Sequence, residues 1–146
     1  MGARALILYL DASALLKALI PEPLSELVIE ASRKATSLAT SRVAYVECCS
    51  GLARRQREGL LNGSEHAAAR QALADRWSAM AAVEVDEFAA GELARKHGLR
   101  ALDAVHLAAA MLVRGESREE PVVFCTFDAR QAAGARAERF EVVPQR

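Results

Sequence analysis

Aromatic residues are scarce. They make up 5% of the 146 residues against a hydrophobic fraction of 52%, so the core has to be built from Ala, Leu and Val. Cysteine is nearly absent as well. The three thiols, Cys48, Cys49 and Cys125, show no metal-ligand spacing, and an odd count with an adjacent pair is a poor disulfide framework. They read as buried thiols in a reducing compartment. Neither sign of charge is in excess, with 19 basic against 19 acidic side chains. That balance argues against a protein that coats nucleic acid nonspecifically, without excluding contact over a small local patch. Long apolar runs are missing too. The stretch from Ala5 to Leu10 is cut short by Asp11, too early for a signal-peptide core or a membrane span. A cytoplasmic, membrane-free protein is expected, and the length suits one domain.

What is present is an alternation of two patterns. Residues 5–10 form a continuous apolar run, as expected of a parallel strand buried on both faces. A short helix is predicted from Ser13 to before Pro21, and helical spacing recurs over 24–34. Ser37 to Thr40 reads as a short strand, and a helix follows from about Arg42 to Arg57. Ser64 is the expected cap of the next helix, which carries Glu65 in its first turn and reaches about Met80. Val83 to Val85 reads as a strand, Glu87 to His97 as a helix closed by Gly98, and 101–113 as another helix. Val122 to Cys125 repeats the buried-strand pattern. A last helix and a strand over Phe140 to Val143 complete the chain. Strands alternating with helices imply a parallel sheet covered on both faces.

Four carboxylates stand where a charge is costly. Asp11 ends the first apolar strand and Asp128 closely follows the strand 122–125, so both project toward the crevice beyond the strand ends where open parallel sheets bind ligands. Glu47 lies on the 42–57 helix, on the side of Val43 and Val46, with small Ser50 and Gly51 one turn on to permit close approach. In the apolar stretch from Ala101 to Val113 only Asp103 and His106 are not plainly apolar, which sets Asp103 inside or at the rim of the core. Each acid also has an ordinary reading: a strand-end turn, a helix cap, an outward-reaching charge, a first-turn acid favoured by the helix dipole. Their coincidence favours a hard cation. Two carboxylates about 5 Å apart repel by roughly 3 kcal/mol at an effective dielectric of about 20, and a divalent ion relieves that repulsion. Magnesium and manganese prefer such oxygen ligands and bridge to phosphates.

The series Leu10-Asp11-Ala12-Ser13, Val46-Glu47, Leu102-Asp103-Ala104-Val105-His106-Leu107-Ala108 and Thr126-Phe127-Asp128 resembles a PIN domain. More closely, it is similar to the VapC toxins of toxin–antitoxin pairs, and the resemblance covers essentially the whole chain. It implies a single PIN-like domain over residues 1–146, a three-layer α/β/α sandwich with a central, mostly parallel sheet, and a ribonuclease using Mg²⁺ or Mn²⁺. Carried over position by position, Asp11, Glu47, Asp103 and Asp128 are the metal-binding, catalytic acids. Ser13 and Thr126 match the supporting hydroxyl residues beside the first and last Asp. The implied partners are RNA, a cognate antitoxin and a second copy of the chain.

His106 is weighted toward a packed helix histidine over a catalytic group. Arg54, Arg55 and Arg57, and again Arg95, Lys96 and Arg100, read either as solvated helix ends or as a phosphate-steering rim. Of these, Arg54, Arg55 and Arg100 are the candidate RNA contacts. Trp77 reads as core or as a protein contact. An aspartyl-phosphate phosphatase would carry an acid where Ser13 stands, and a phospho-accepting receiver would need an N-terminal acidic pair and a late strand-end Lys. The remaining alternative is a PIN-like RNA-processing or non-catalytic binding module.

Overall fold

A computed structural model describes residues 5–145; residues 1–4 and 146 of the expected domain lie outside them. Five strands form one sheet: β1 (Ile7–Leu10), β2 (Ser37–Ser41), β3 (Ala81–Val83), β4 (Val122–Cys125) and β5 (Glu141–Val143). Their order is β3-β2-β1-β4-β5 and every pairing is parallel. The connections carry seven helices: α1 (Ala12–Leu19), α2 (Ser25–Lys34), α3 (Val43–Arg57), α4 (Gly63–Ser78), α5 (Glu87–His97), α6 (Ala101–Glu116) and α7 (Ala129–Ala137). The architecture is the expected three-layer α/β/α sandwich.

Strand alternation builds the two cores. Leu8 and Leu10 of β1 join Val123 and Cys125 of β4 under α1–α4. Tyr9 and Phe124, pointing the opposite way, join Val122, Val142 and Phe140 under α5–α7. Because both faces are covered, β1 and β4 read as unbroken apolar runs rather than alternating ones. Small residues let the layers approach closely. A Cβ on buried Gly51 of α3 would stand 2.9 Å from Leu16 Cδ1 of α1, so the close approach read from the sequence is real.

Several boundaries differ from expectation. The helix after β1 starts at Ala12, with Asp11 as its cap. Asn62, not Ser64, caps α4, because its side chain accepts from Glu65 N (2.8 Å) while Glu65 Oε1 accepts from Asn62 N (2.9 Å), a reciprocal pair that Ser64 cannot form from inside the first turn. The third strand is Ala81–Val83, set by pairing with Ala39–Ser41 of β2, and Val85 is left exposed. α6 continues to Glu116 and is not apolar-buried all round, since Leu102 and Leu112 face solvent. Cys48 and Cys125 are buried but Cys49 is exposed.

β1 sits between β2, the next strand in sequence, and β4, which follows two crossovers later. Chain direction around the sheet therefore reverses at the β1/β4 boundary, where the C-terminal strand ends leave a crevice. Asp11 and Thr126 immediately follow these two strands.

Candidate active site

Asp11 is buried at that crevice. It is the N-cap of α1, and its Oδ1 accepts from Ala14 N (3.0 Å) and from the Ser13 hydroxyl (2.6 Å). Its Oδ2 accepts from the Thr126 hydroxyl. Ser13 and Thr126 are themselves fixed, since Ser13 Oγ accepts from Phe127 N (3.0 Å) and Thr126 Oγ1 from Asp128 N (3.1 Å). The two hydroxyl residues thus join the end of β1 to the end of β4 and lock the Asp11 carboxylate in one orientation. Burial pushes the Asp11 carboxyl above the usual carboxylate range, opposed by the charge of His106 and the hydrogen bonds from Ser13, Thr126 and Ala14.

Glu47 lies on α3, but its neighbourhood is not the apolar side read from the sequence. Val46 is 69% exposed, and the buried stripe of the helix is Ala44, Cys48, Gly51 and Leu52. Glu47 borders that stripe, half-buried, and its Oε1 lies 2.7 Å from Nε2 of His106. The other ring nitrogen of His106, Nδ1, lies 2.7 Å from the Tyr9 hydroxyl. Tyr9 and His106 are both fully enclosed. Burial raises the Tyr9 phenol well above its ordinary value, reinforced by the charges of Asp11 and Glu47. His106 is thus held at both ring nitrogens, by the Tyr9 hydroxyl on one side and the Glu47 carboxylate on the other.

Asp103, in the first turn of α6, and Asp128, the N-cap of α7, are joined by one guanidinium. Arg100 donates from Nε to Asp103 Oδ2 (3.0 Å) and from Nη2 to Asp128 Oδ2 (2.7 Å). Asp128 keeps Oδ1 for Gln131 N (2.9 Å). The Asp103 side chain is 14% exposed, at the rim of the core.

The four acids fall into three hydrogen-bonded units: Asp11 with Ser13 and Thr126, Glu47 with His106 and Tyr9, and Asp103 with Arg100 and Asp128. Among the described residues, no three His, Cys, Asp or Glu side chains gather as a single ligand group. Like-charge repulsion favours this partition, with Asp11 drawing hydroxyls, Glu47 an imidazole, and Asp103 and Asp128 one shared guanidinium. The donor chemistry fits a hard divalent cation, since every candidate ligand atom is a carboxylate oxygen.

The remaining candidates divide. Arg55 is clasped to Glu22 (Nε to Oε2, 2.9 Å) and to the Gly51 carbonyl (3.2 Å), with its side chain 18% exposed. Arg54 is exposed. Trp77 packs partly buried against the α1–α4 core and edge-on to Tyr45, with centroids 5.3 Å apart. Sequence reasoning missed Tyr9. The available signal was a lone hydroxyl inside an otherwise aliphatic buried strand, which has to find a partner.

The PIN domain family model matches residues 8–137, a span that includes all four acids. The chain belongs to the PIN-domain family. It is 38% identical to Ribonuclease VapC45 and to Ribonuclease VapC49 of Mycobacterium tuberculosis, over 94% of this chain and 95% of each relative. It is 33% identical to Ribonuclease VapC3 of Pyrobaculum aerophilum, over 75% of this chain and 85% of that one. The fold matches the crystal structure of PAE2754 from Pyrobaculum aerophilum, with a TM-score of 0.64 and 22% identity, covering 97% of this chain and 86% of that one. It also matches FitAcB from Neisseria gonorrhoeae, with a TM-score of 0.62 and 19% identity, covering 92% and 95%. These relatives place the chain among the VapC-type PIN-domain ribonucleases.

Proposed function

We propose that this VapC-type chain is a Mg²⁺- or Mn²⁺-dependent endoribonuclease, the toxin of a toxin–antitoxin pair, that hydrolyses RNA phosphodiester bonds with an activated water. The observation that carries this reading is the locked Asp11 carboxylate: buried at the crevice, oriented by Ser13, Thr126 and Ala14 N–H, and lifted in pKa by burial. A carboxylate held in that state gains from a cation.

Asp11, Glu47, Asp103 and Asp128 would hold the ion. When bound, it supplies a water of lowered pKa and neutralises charge on the leaving oxygen. The chain's own residues prepare the rest. Ser13 and Thr126 fix the direction of the Asp11 lone pairs, and the Tyr9–His106 pair aims Glu47. Attack by a neighbouring 2′-hydroxyl is not favoured, because that route needs a paired acid and base. His97 is engaged by Glu138 (2.6 Å) in a partly buried pair between α5 and the end of α7, and His106 is enclosed with Tyr9 and Glu47. His66 lies on α4.

An antitoxin would cover the acidic crevice with a basic side chain, and a twofold homodimer is the expected assembly. Val46 on α3 and Phe88 on α5, 69% and 80% exposed, supply apolar surface for such partners. The assay is cleavage of single-stranded RNA by the purified chain with Mg²⁺ or Mn²⁺, against the same reaction in EDTA. Cleavage restored by either ion supports the reading. Repeating it after co-expression with the product of the neighbouring gene tests the pairing, since full activity in a complex of the two proteins contradicts it.

A further inference from the structure

Arg100 is a cation in an electrostatically poor position. It is the N-cap of α6, at the end of the helix where the backbone N–H groups already concentrate positive charge. Its backbone is committed, since its carbonyl accepts from Ala104 N (3.0 Å) in the first helical bond. Only the side chain is left to move, and it is 60% exposed. What holds it is the pair of acids, 14% and 31% exposed, that face it from α6 and α7.

The oxygens it occupies are informative. The guanidinium takes Oδ2 of both aspartates, while Asp128 keeps Oδ1 for capping α7. For Asp128, then, Arg100 holds the oxygen that the fold does not itself require. These two acids also lack the buried hydroxyl clamps that fix Asp11. Their charge is balanced by a solvent-facing side chain whose bonds exchange with water.

We propose that Arg100 is an internal counter-cation for Asp103 and Asp128, which a divalent ion must displace to bind there, and that the displaced guanidinium then takes a phosphate oxygen of the RNA. This rests on the ribonuclease reading above and adds an exchange step to it. One side chain holds the two acids together before the metal arrives, and afterwards stands at the crevice as a fork-shaped phosphate donor. The exchange couples the two ligands, because Arg100 leaves the acids more readily when a phosphate is there to receive it.

The test compares Mn²⁺ binding, by calorimetry on the full chain without RNA, in wild type, Arg100→Gln, Arg100→Lys and Arg33→Gln. Arg33 pairs with Glu30 on α2 and controls for net charge. Arg100→Gln is expected to bind Mn²⁺ roughly three- to tenfold more tightly, the scale of one or two solvent-screened ion pairs. Arg100→Lys should stay near wild type, and Arg33→Gln should not change. At saturating Mn²⁺, Arg100→Gln should raise KM for RNA with a smaller effect on kcat. Unchanged or weaker Mn²⁺ binding in Arg100→Gln would overturn the displacement step, weaker binding marking Arg100 as an organiser of the acids. Unchanged KM would overturn the phosphate step. A wild type that neither binds Mn²⁺ nor cleaves RNA would defeat the underlying ribonuclease reading along with the proposal.

Discussion

The Tyr9 hydroxyl, buried in the central strand, lies 2.7 Å from Nδ1 of His106 on α6, whose other ring nitrogen lies 2.7 Å from Glu47 Oε1. This contact links the apolar floor of the sheet to the site through a fully enclosed pair. Tyr9→Phe removes the hydroxyl and leaves Nδ1 buried without that partner. A loss of about 1–3 kcal/mol is expected, read by urea unfolding, together with a drop in cleavage rate as Glu47 loses its fixed orientation. His106→Ala should lower activity at least as far. Wild-type activity in both variants would make the relay purely structural.

Two adjacent arginines on α3 should behave differently. Arg55 is tied to Glu22 and the Gly51 carbonyl, whereas Arg54 is exposed. Arg55→Ala is expected to lower stability by roughly 1 kcal/mol with little change in KM for RNA, on the scale of a partly buried charged hydrogen bond. Arg54→Ala should leave stability within about 0.5 kcal/mol and raise KM if Arg54 meets RNA. Paired denaturation and kinetic measurements separate the two roles.

Thiol chemistry gives a third check on the packing. Burial pushes both the Cys48 and the Cys125 thiol up to about 12, Cys48 helped by the charge of Glu47 and Cys125 by that of Asp11. Cys49 is exposed. Native alkylation should modify Cys49 alone, and all three thiols only after unfolding. Mass spectrometry of timed samples reads this directly, and early modification of Cys48 or Cys125 would contradict the described packing.

The acid limb of stability should carry a signature of Glu138. Hydrogen bonds from Lys96 and His97 hold its carboxyl below the usual carboxylate range, against the opposing effect of burial. A lowered folded-state value means that the unfolded chain binds the proton first as pH falls. The contribution is therefore present above the unfolded carboxylate range and lost as pH drops through the folded one. Glu138→Gln should flatten that limb and remove roughly 1 kcal/mol or less at neutral pH, read from unfolding midpoints across pH.

The parts legible in the sequence were those set locally. β1 and β4 announce themselves as apolar runs, and Asp11 and Asp128 as acids just beyond them. Asn62 and Glu65 had the three-residue spacing of a reciprocal cap, but Ser64 offered a competing cap nearby. β3 was misplaced because its limits come from pairing with β2 and not from its own short pattern. Glu47 was singled out beside a wrongly chosen apolar side, since Val46 points to solvent. The role of His106 was out of reach, because its decisive partner lies 97 positions away in another layer. Arg100 was legible as a basic residue near the site, but its two acids come together only once α6 and α7 are packed.

Metal-dependent hydrolysis of RNA anchored on Asp11 leaves its mark on the ends of the cleaved strands. Wild type with Mg²⁺ or Mn²⁺ should leave 5′-phosphate and 3′-hydroxyl termini, as direct attack by water requires. It should stop in EDTA, and Ca²⁺ should replace the active ions poorly because of its looser coordination. Asp11→Asn should fold, keep the cap on α1 through its amide oxygen, and lose nearly all cleavage. Cyclic-phosphate ends, cleavage that continues in EDTA, or an active Asp11→Asn enzyme would rule out that role of Asp11.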